Sequence, residues 1–245
     1  VEARRRLVGQ QQGRPRRERA RHGDACALAR RETRHRHVEP VGEADRVAHL
    51  ARSGWVADAP HEQPQLDVLA RAEERLDAWL KIHCPRAAAA YPIAAMRNLR
   101  ERVAAENPHL SHDFTAQRCL SLRHALIPHG YGEAHVDAAF AEYYAARNEV
   151  DCYADVLPAL ERLAARYPLV SLSNGNADLR RIGLDRFFRF SVSARDCGVG
   201  KPAPAIFHAA GAGLNLPTHA VLHVGDDAEL DVAGAHAADL RSAWI

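Results

Sequence analysis

Apolar positions recur at helical spacing from about Leu69 to Val150, then give way to alternating strand-like and helix-like runs from Asp151 to Ile245. In the first stretch Leu69, Leu76 and Leu80 mark one stripe, followed by Ile93, Met96, Leu99 and Val103. Phe114, Leu122 and Leu126 mark a third, and Val136, Phe140 and Tyr144 a fourth. All four follow the period that places residues on one helix face. The runs are broken at Cys84-Pro85, Asn107-Pro108 and Pro128-His129-Gly130. Proline lacks the amide donor a helix interior needs, and glycine accepts the left-handed turn that ends one. The pattern predicts four antiparallel helices with their stripes packed together.

Beyond Asp151 the periods change. Asp155 is placed to cap a helix through Val156, Leu160 and Leu163 that stops near Tyr167-Pro168. Leu169-Val170-Ser171-Leu172 then reads as a short buried strand, Phe188 to Val192 as a second and Ala220 to Val224 as a third. Helices fit Pro204 to Ala212 and Leu230 to Ala238, and Ser242 to Ile245 reads as the start of another strand. Strands alternating with helices predict an α/β class: a Rossmann-like parallel sheet with helices on both faces. Ligands of such sheets lie at the carboxyl ends of the strands.

The start of the chain has neither period. Up to about Gln65 it is charged and rich in Gln and His, with Gln10-Gln11-Gln12 and Arg34-His35-Arg36-His37. Val47 to Val56 is more apolar but forms no convincing buried strand. The expected organisation is a poorly structured Arg-rich segment over residues 1–67, a helical unit over 68–150 and an α/β core over 151–245.

Composition narrows the classes. A chain of 245 residues that is 47% hydrophobic can bury a substantial core. Its formal charge of +2 is ordinary, but the basic excess sits before about Arg52, in runs such as Arg4-Arg5-Arg6 and Arg14-Pro15-Arg16-Arg17. Basic tails of this kind can bind nucleic acid, with an affinity that falls steeply with salt. No interleaved aromatics and no known binding motif accompany them, which argues against nucleic acid as a partner. The five cysteines, Cys26, Cys84, Cys119, Cys152 and Cys197, never form a C-x-x-C pair and suit reduced thiols. No apolar run approaches the ~20 residues needed to span a bilayer, and no signal-peptide segment is present at the start. A cytoplasmic protein without a membrane partner is expected.

Three polar clusters fall at predicted strand ends. Ser173-Asn174-Gly175 directly follows a strand, so a hydroxyl and backbone amides can meet phosphate oxygens there; a plain turn is the competing reading. Lys201 lies in Gly198-Val199-Gly200-Lys201-Pro202 and shares the whole chain with one other lysine, Lys81. A compact ammonium there can neutralise a phosphoryl group, against the alternative of an ordinary surface lysine. Val221-Leu222-His223-Val224 delivers Gly225-Asp226-Asp227, with Asp231 following. Carboxylates grouped at a strand end repel unless a cation joins them, and hard oxygen donors suit Mg²⁺. Asp227 and Asp231 also suit a helix N-terminus without any ligand.

The order strand-Ser-Asn-Gly, Gly-Lys-Pro, strand-Gly-Asp-Asp-x-x-x-Asp resembles the haloacid dehalogenase superfamily over roughly Leu69 to Ile245. The helical segment is similar to that superfamily's four-helix cap. The resemblance implies a Mg²⁺-dependent phosphatase of small phosphorylated metabolites. Ser173, Asn174, Gly175 and Lys201 would bind the phosphoryl group, Ser173 and Lys201 would also be its catalytic residues, and Asp226 and Asp231 would hold Mg²⁺ directly or through water. Ser173-Asn174-Gly175-Asn176 and the cap are similar to the capped subfamily that includes flavin mononucleotide phosphatases, so a flavin nucleotide or its precursor is the expected substrate.

One family element is missing. Members open their core with a strand ending in Asp-x-Asp, whose first carboxylate attacks phosphorus and whose second handles protons. No Asp-x-Asp occurs in this chain; the expected place is near Val56 to His61, where Asp58 is the nearest carboxylate and lacks a partner at that spacing. Two readings follow. Either the segment before Leu69 is not the family's natural N-terminus, through a frame error or wrong start, or the chain is a degenerate member that binds without turnover. The abrupt change of pattern favours the first; no apolar strand with Asp-x-Asp in any reading frame upstream of Leu69 would sink it. A carbon–halogen hydrolase, which needs no Mg²⁺, is the second enzyme reading, and the carboxylates around Asp226 tilt against it.

Overall fold

The computed structural model describes residues 64–245. The expected Arg-rich segment lies almost wholly outside them, as does Asp58. The helical unit comprises α1 (Pro64–His83), the short α2 (Pro85–Ala90), α3 (Ile93–Glu106), α4 (Phe114–Leu126) and α5 (Glu133–Arg147). In α1 the side chains of Val68, Ala72, Leu76 and Leu80 are buried at four-residue intervals, a seam that faces α5 through Val136, Ala139, Tyr143 and Ala146. Met96, Leu99 and Val103 of α3, with Leu122, Ala125 and Leu126 of α4, complete one apolar core. The stops fall where expected: Pro85 opens α2, Pro108 opens a short 3₁₀ turn, and Gly130 closes another at φ 81°. Phe114, expected in the apolar stripe, is instead 45% exposed at the start of α4, where Asp113 caps the helix by accepting from the Ala116 amide.

This core holds one buried polar knot. Arg118 of α4 donates through both terminal nitrogens to the Glu73 carboxylate of α1, and Arg100 of α3 adds a third bond to it at 2.6 Å. The Arg118 guanidinium also lies 3.9 Å from the Tyr143 ring centre. Charges this deep persist only when paired and stacked.

The α/β core runs α6 (Val156–Ala164), β1 (Val170–Ser173), α7 (Leu179–Ile182), β2 (Phe190–Ser193), α8 (Ala194–Cys197), α9 (Pro204–Leu214) and β3 (Leu222–Gly225). A π-helical turn over Ala228–Ala233, α10 (Gly234–Ala237) and β4 (Arg241–Trp244) complete it. Asp155 stands at the start of α6, but its side chain makes no cap bond, contrary to expectation. Both strand pairings are parallel: Val170 to Ser173 lie opposite Phe190 to Ser193, and Leu222 to Gly225 opposite Arg241 to Trp244. The expected single sheet is therefore two pairs among the described residues, because no described strand hydrogen-bonds both β1 and β3.

Helix α9 unites the pairs. Ile206, Phe207 and Ala210 are buried with Val192, Ala235, Ala238 and Leu240, and Val170, Leu172 and Val221 pack against them. One core thus sets the carboxyl ends of β1 and β3 beside each other's loops. Three described cysteines, Cys84, Cys119 and Cys152, are free thiols. Among the described residues no helix is long and apolar enough to cross a membrane.

Candidate active site

Strand β1 ends in Ser173, whose hydroxyl turns back to accept from the Gly175 amide at 2.9 Å. The next side chain, Asn174, reaches across to the loop before α9. Its Oδ1 accepts from the Lys201 amide at 2.6 Å, and its Nδ2 donates to the Lys201 carbonyl at 2.9 Å. The loop makes room for it at Gly200, where a Cβ would lie 2.7 Å from Asn174 Oδ1.

From that loop the Lys201 side chain runs inward and donates to Asp231 Oδ1 at 2.5 Å. The lysine side chain is 14% exposed and the aspartate 4%. His223, in the middle of β3, places Nε2 2.8 Å from the same oxygen and packs its ring edge-on against Phe207. Asp231 Oδ2 accepts from the Asp227 amide at 3.2 Å. The carboxylate lies against Gly225, where a Cβ would fall 2.3 Å from Asp231 Cγ. Burial alone would push the Asp231 carboxyl up, but the bonds from Lys201, His223 and the Asp227 amide outweigh it and hold it below its ordinary value.

The other carboxylates differ. Asp227 caps the π-helical turn, accepting from the Glu229 and Leu230 amides at 2.9 and 2.8 Å. Asp226 is exposed, and its backbone carbonyl takes the Trp244 indole N–H at 2.9 Å. Magnesium favours octahedral oxygen donors, keeps several waters and takes one or two protein carboxylates. The exposed Asp226 carboxylate fits that demand. Asp231 Oδ1 is taken by Lys201 and His223 and Oδ2 by the Asp227 amide, an arrangement that suits reaching an ion through water. Among the described residues no group of three or more His, Cys, Asp or Glu stands ready to hold a metal ion. In the helical unit, burial pushes the Cys84 and Cys119 thiols up, away from the thiolate.

The helical unit touches this end of the core. Asn176, just past the Ser173 turn, donates to Thr115 Oγ1 at 3.3 Å, and Asn148 Oδ1 accepts from the Asp178 amide at 2.7 Å. Arg195, in α8 just after β2, pairs with Asp113 at 3.3 Å. Of the residues singled out from sequence, Asn174, Lys201 and Asp231 are joined by direct bonds, with Ser173 and Gly175 in the adjoining turn. Asp226 shares the end of β3 without bonding to them. His223 was not foreseen. The available signal is a histidine inside an apolar run, two residues before Gly225 and so on the same strand face.

The parallel strand pairs and the contacts from β1 to β3 define an α/β fold with a polar cluster at its strand ends, and sequence comparison assigns the class. The description "haloacid dehalogenase-like hydrolase" matches residues 17–239, and the chain belongs to that family. It is 32% identical over 154 residues to the 5-amino-6-(5-phospho-D-ribitylamino)uracil phosphatase YigB of Escherichia coli, covering 61% of this chain and 65% of YigB. It is 33% identical over 82 residues to the phosphoserine phosphatase of Thermus thermophilus, covering 31% of this chain and 33% of that one. The matches thus span less than two thirds of these relatives' lengths. The crystal structure of a 2-haloacid dehalogenase from Pseudomonas syringae shares 35% identity at a TM-score of 0.68, over 72% of this chain and 78% of that one.

Proposed function

We propose that this chain handles phosphate monoesters of a small metabolite in a Mg²⁺-dependent manner, with a ribityl phosphate of the flavin nucleotide or flavin-precursor type as substrate. The observation that carries the reading is the buried Lys201–Asp231 pair, held at the strand ends on a loop that Asn174 ties to the Ser173 turn. In this reading the Ser173 hydroxyl and the amides of its turn donate to the phosphoryl oxygens, and the Lys201 ammonium neutralises their charge. Asp231 fixes the ammonium in place, and the exposed Asp226 carboxylate is the direct ligand of the ion. Bound there, Mg²⁺ would polarise the phosphoryl group and offset its negative charge. The helical unit, through Thr115 and Asn148, sets the wall that selects the rest of the substrate. The likeness to YigB supports this substrate class.

Carbon–halogen hydrolysis is the second reading, favoured by the likeness to the Pseudomonas syringae dehalogenase. The two separate in one assay: phosphate release from 5-amino-6-(5-phospho-D-ribitylamino)uracil with Mg²⁺, and halide release from a 2-haloacid without it. Phosphate release that falls at least about a hundredfold in both Lys201→Ala and Asp226→Ala is expected. Release that survives both changes refutes the site assignment, and halide release alone selects the second reading. Binding without turnover marks a chain that lacks the attacking carboxylate.

A further inference from the structure

We infer that Asn174 is a positioning residue, a clamp that sets the Lys201 ammonium relative to the Ser173 turn, and does not bind substrate through its side chain. The inference rests on the reading of Ser173 and Lys201 as phosphate-handling groups. Sequence alone places Asn174 among the substrate-binding residues; the geometry spends its amide elsewhere. Oδ1 accepts from the Lys201 N–H at 2.6 Å while Nδ2 donates to the Lys201 C=O at 2.9 Å. One side-chain amide thereby engages both backbone groups of a single residue 27 positions away. A residue whose own N–H and C=O are both held, so that the peptide units on either side of its Cα are tethered, has little freedom to rotate, and the direction in which the Lys201 side chain leaves the loop is fixed. That direction carries Nζ to Asp231.

Two features show why asparagine stands here. Aspartate would keep the bond from the Lys201 N–H, but its second oxygen would face the Lys201 carbonyl with no proton between them. The amide also needs bare backbone beneath it: a Cβ at residue 200 would lie 2.7, 3.0 and 3.2 Å from Oδ1, Cγ and Nδ2 of Asn174. Gly200 is therefore the second half of the clamp. Because Asn174 directly follows Ser173, the clamp joins the hydroxyl on one strand to the ammonium on another loop, and neither can move without the other.

The test uses the full chain and Asn174→Ala, Gly200→Ala and the double variant. It reads hydrogen exchange at the Lys201 amide by NMR, and orthophosphate affinity in the presence of Mg²⁺. Each single variant should speed Lys201 exchange about tenfold, the worth of one good hydrogen bond, and weaken phosphate binding by a similar factor. The double variant should be no worse than Asn174→Ala, because both changes break the same contact. Should Asn174→Ala fail to fold, Gly200→Ala, which retains the asparagine, carries the test alone. Unchanged exchange at Lys201, or additive effects, overturns the clamp. Weakened phosphate binding with unchanged exchange also overturns it, since Asn174 would then touch the ligand directly. A wild-type chain that takes up no phosphate refutes the phosphate reading alone, and the exchange rates still decide the clamp.

Discussion

Lys201 Nζ and His223 Nε2 converge on one oxygen of Asp231, at 2.5 and 2.8 Å, in a pocket that leaves the aspartate side chain 4% exposed. Removing one partner strands the other. Asp231→Ala leaves a largely buried ammonium without its counter-charge and should cost about 3–5 kcal/mol, as for other broken buried pairs. Denaturant titration of the variant against wild type measures it, and a loss under about 1 kcal/mol would show that water has replaced the partner.

Acid stability follows from the same residue. The Asp231 carboxyl is held below its ordinary value in the folded chain, so the unfolded chain takes up a proton first as pH falls. Its contribution is fully present above the ordinary aspartate value of about 3.9 and is lost as pH drops through the lower folded value. Unfolding free energy measured from neutral pH downward should fall more steeply below about pH 4 in wild type than in Asp231→Asn. Equal slopes in the two proteins would contradict the assignment.

Gly225 tests the packing around that carboxylate. A methyl group there would fall 2.3 Å from Asp231 Cγ, against a buried side chain held by three hydrogen bonds. Gly225→Ala should destabilise by about 1–3 kcal/mol, the usual cost of overpacking, and should weaken phosphate binding as Asp231 shifts. Calorimetric melting together with phosphate titration checks both halves.

The helical unit supplies an independent test. Glu73 takes bonds from Arg118 and Arg100 beside a core built mainly of apolar side chains. Glu73→Ala should cost about 3–5 kcal/mol, whereas Glu73→Leu with Arg118→Met should recover most of that loss. A double-mutant cycle on unfolding free energies reads the difference. Recovery would show that the knot serves orientation of the helices more than their net stability.

Much of this architecture is legible in the chain because its determinants are local. Pro85, Pro108 and Gly130 stop helices by covalent geometry, and the short apolar runs ending in Ser173 and Gly225 mark parallel strands. The helical stripes are legible too, although Val68 and Ala72 fill the seam where Leu69 was expected, a shift of one residue in phase. What escapes a reading of sequence is set by distant neighbours. Asn174 looks like a turn residue until the Lys201 backbone lies across it, and His223 looks like a flaw in a strand until Asp231 packs beside it. Asp155 has the right chemistry for a cap but an αR backbone at φ −87°, and it makes no cap bond. The Asp-x-Asp strand expected of the family would fall before residue 64, outside the described residues.

The phosphate site at the strand ends is the central claim, and binding tests it without requiring turnover. Isothermal titration of the full chain with orthophosphate, with and without Mg²⁺, should show saturable binding that strengthens with the ion. Lys201→Ala and Asp226→Ala should each weaken that binding at least about tenfold, the loss of one charge-assisted contact. Binding equally tight in both variants, or none in the wild-type chain, would contradict it.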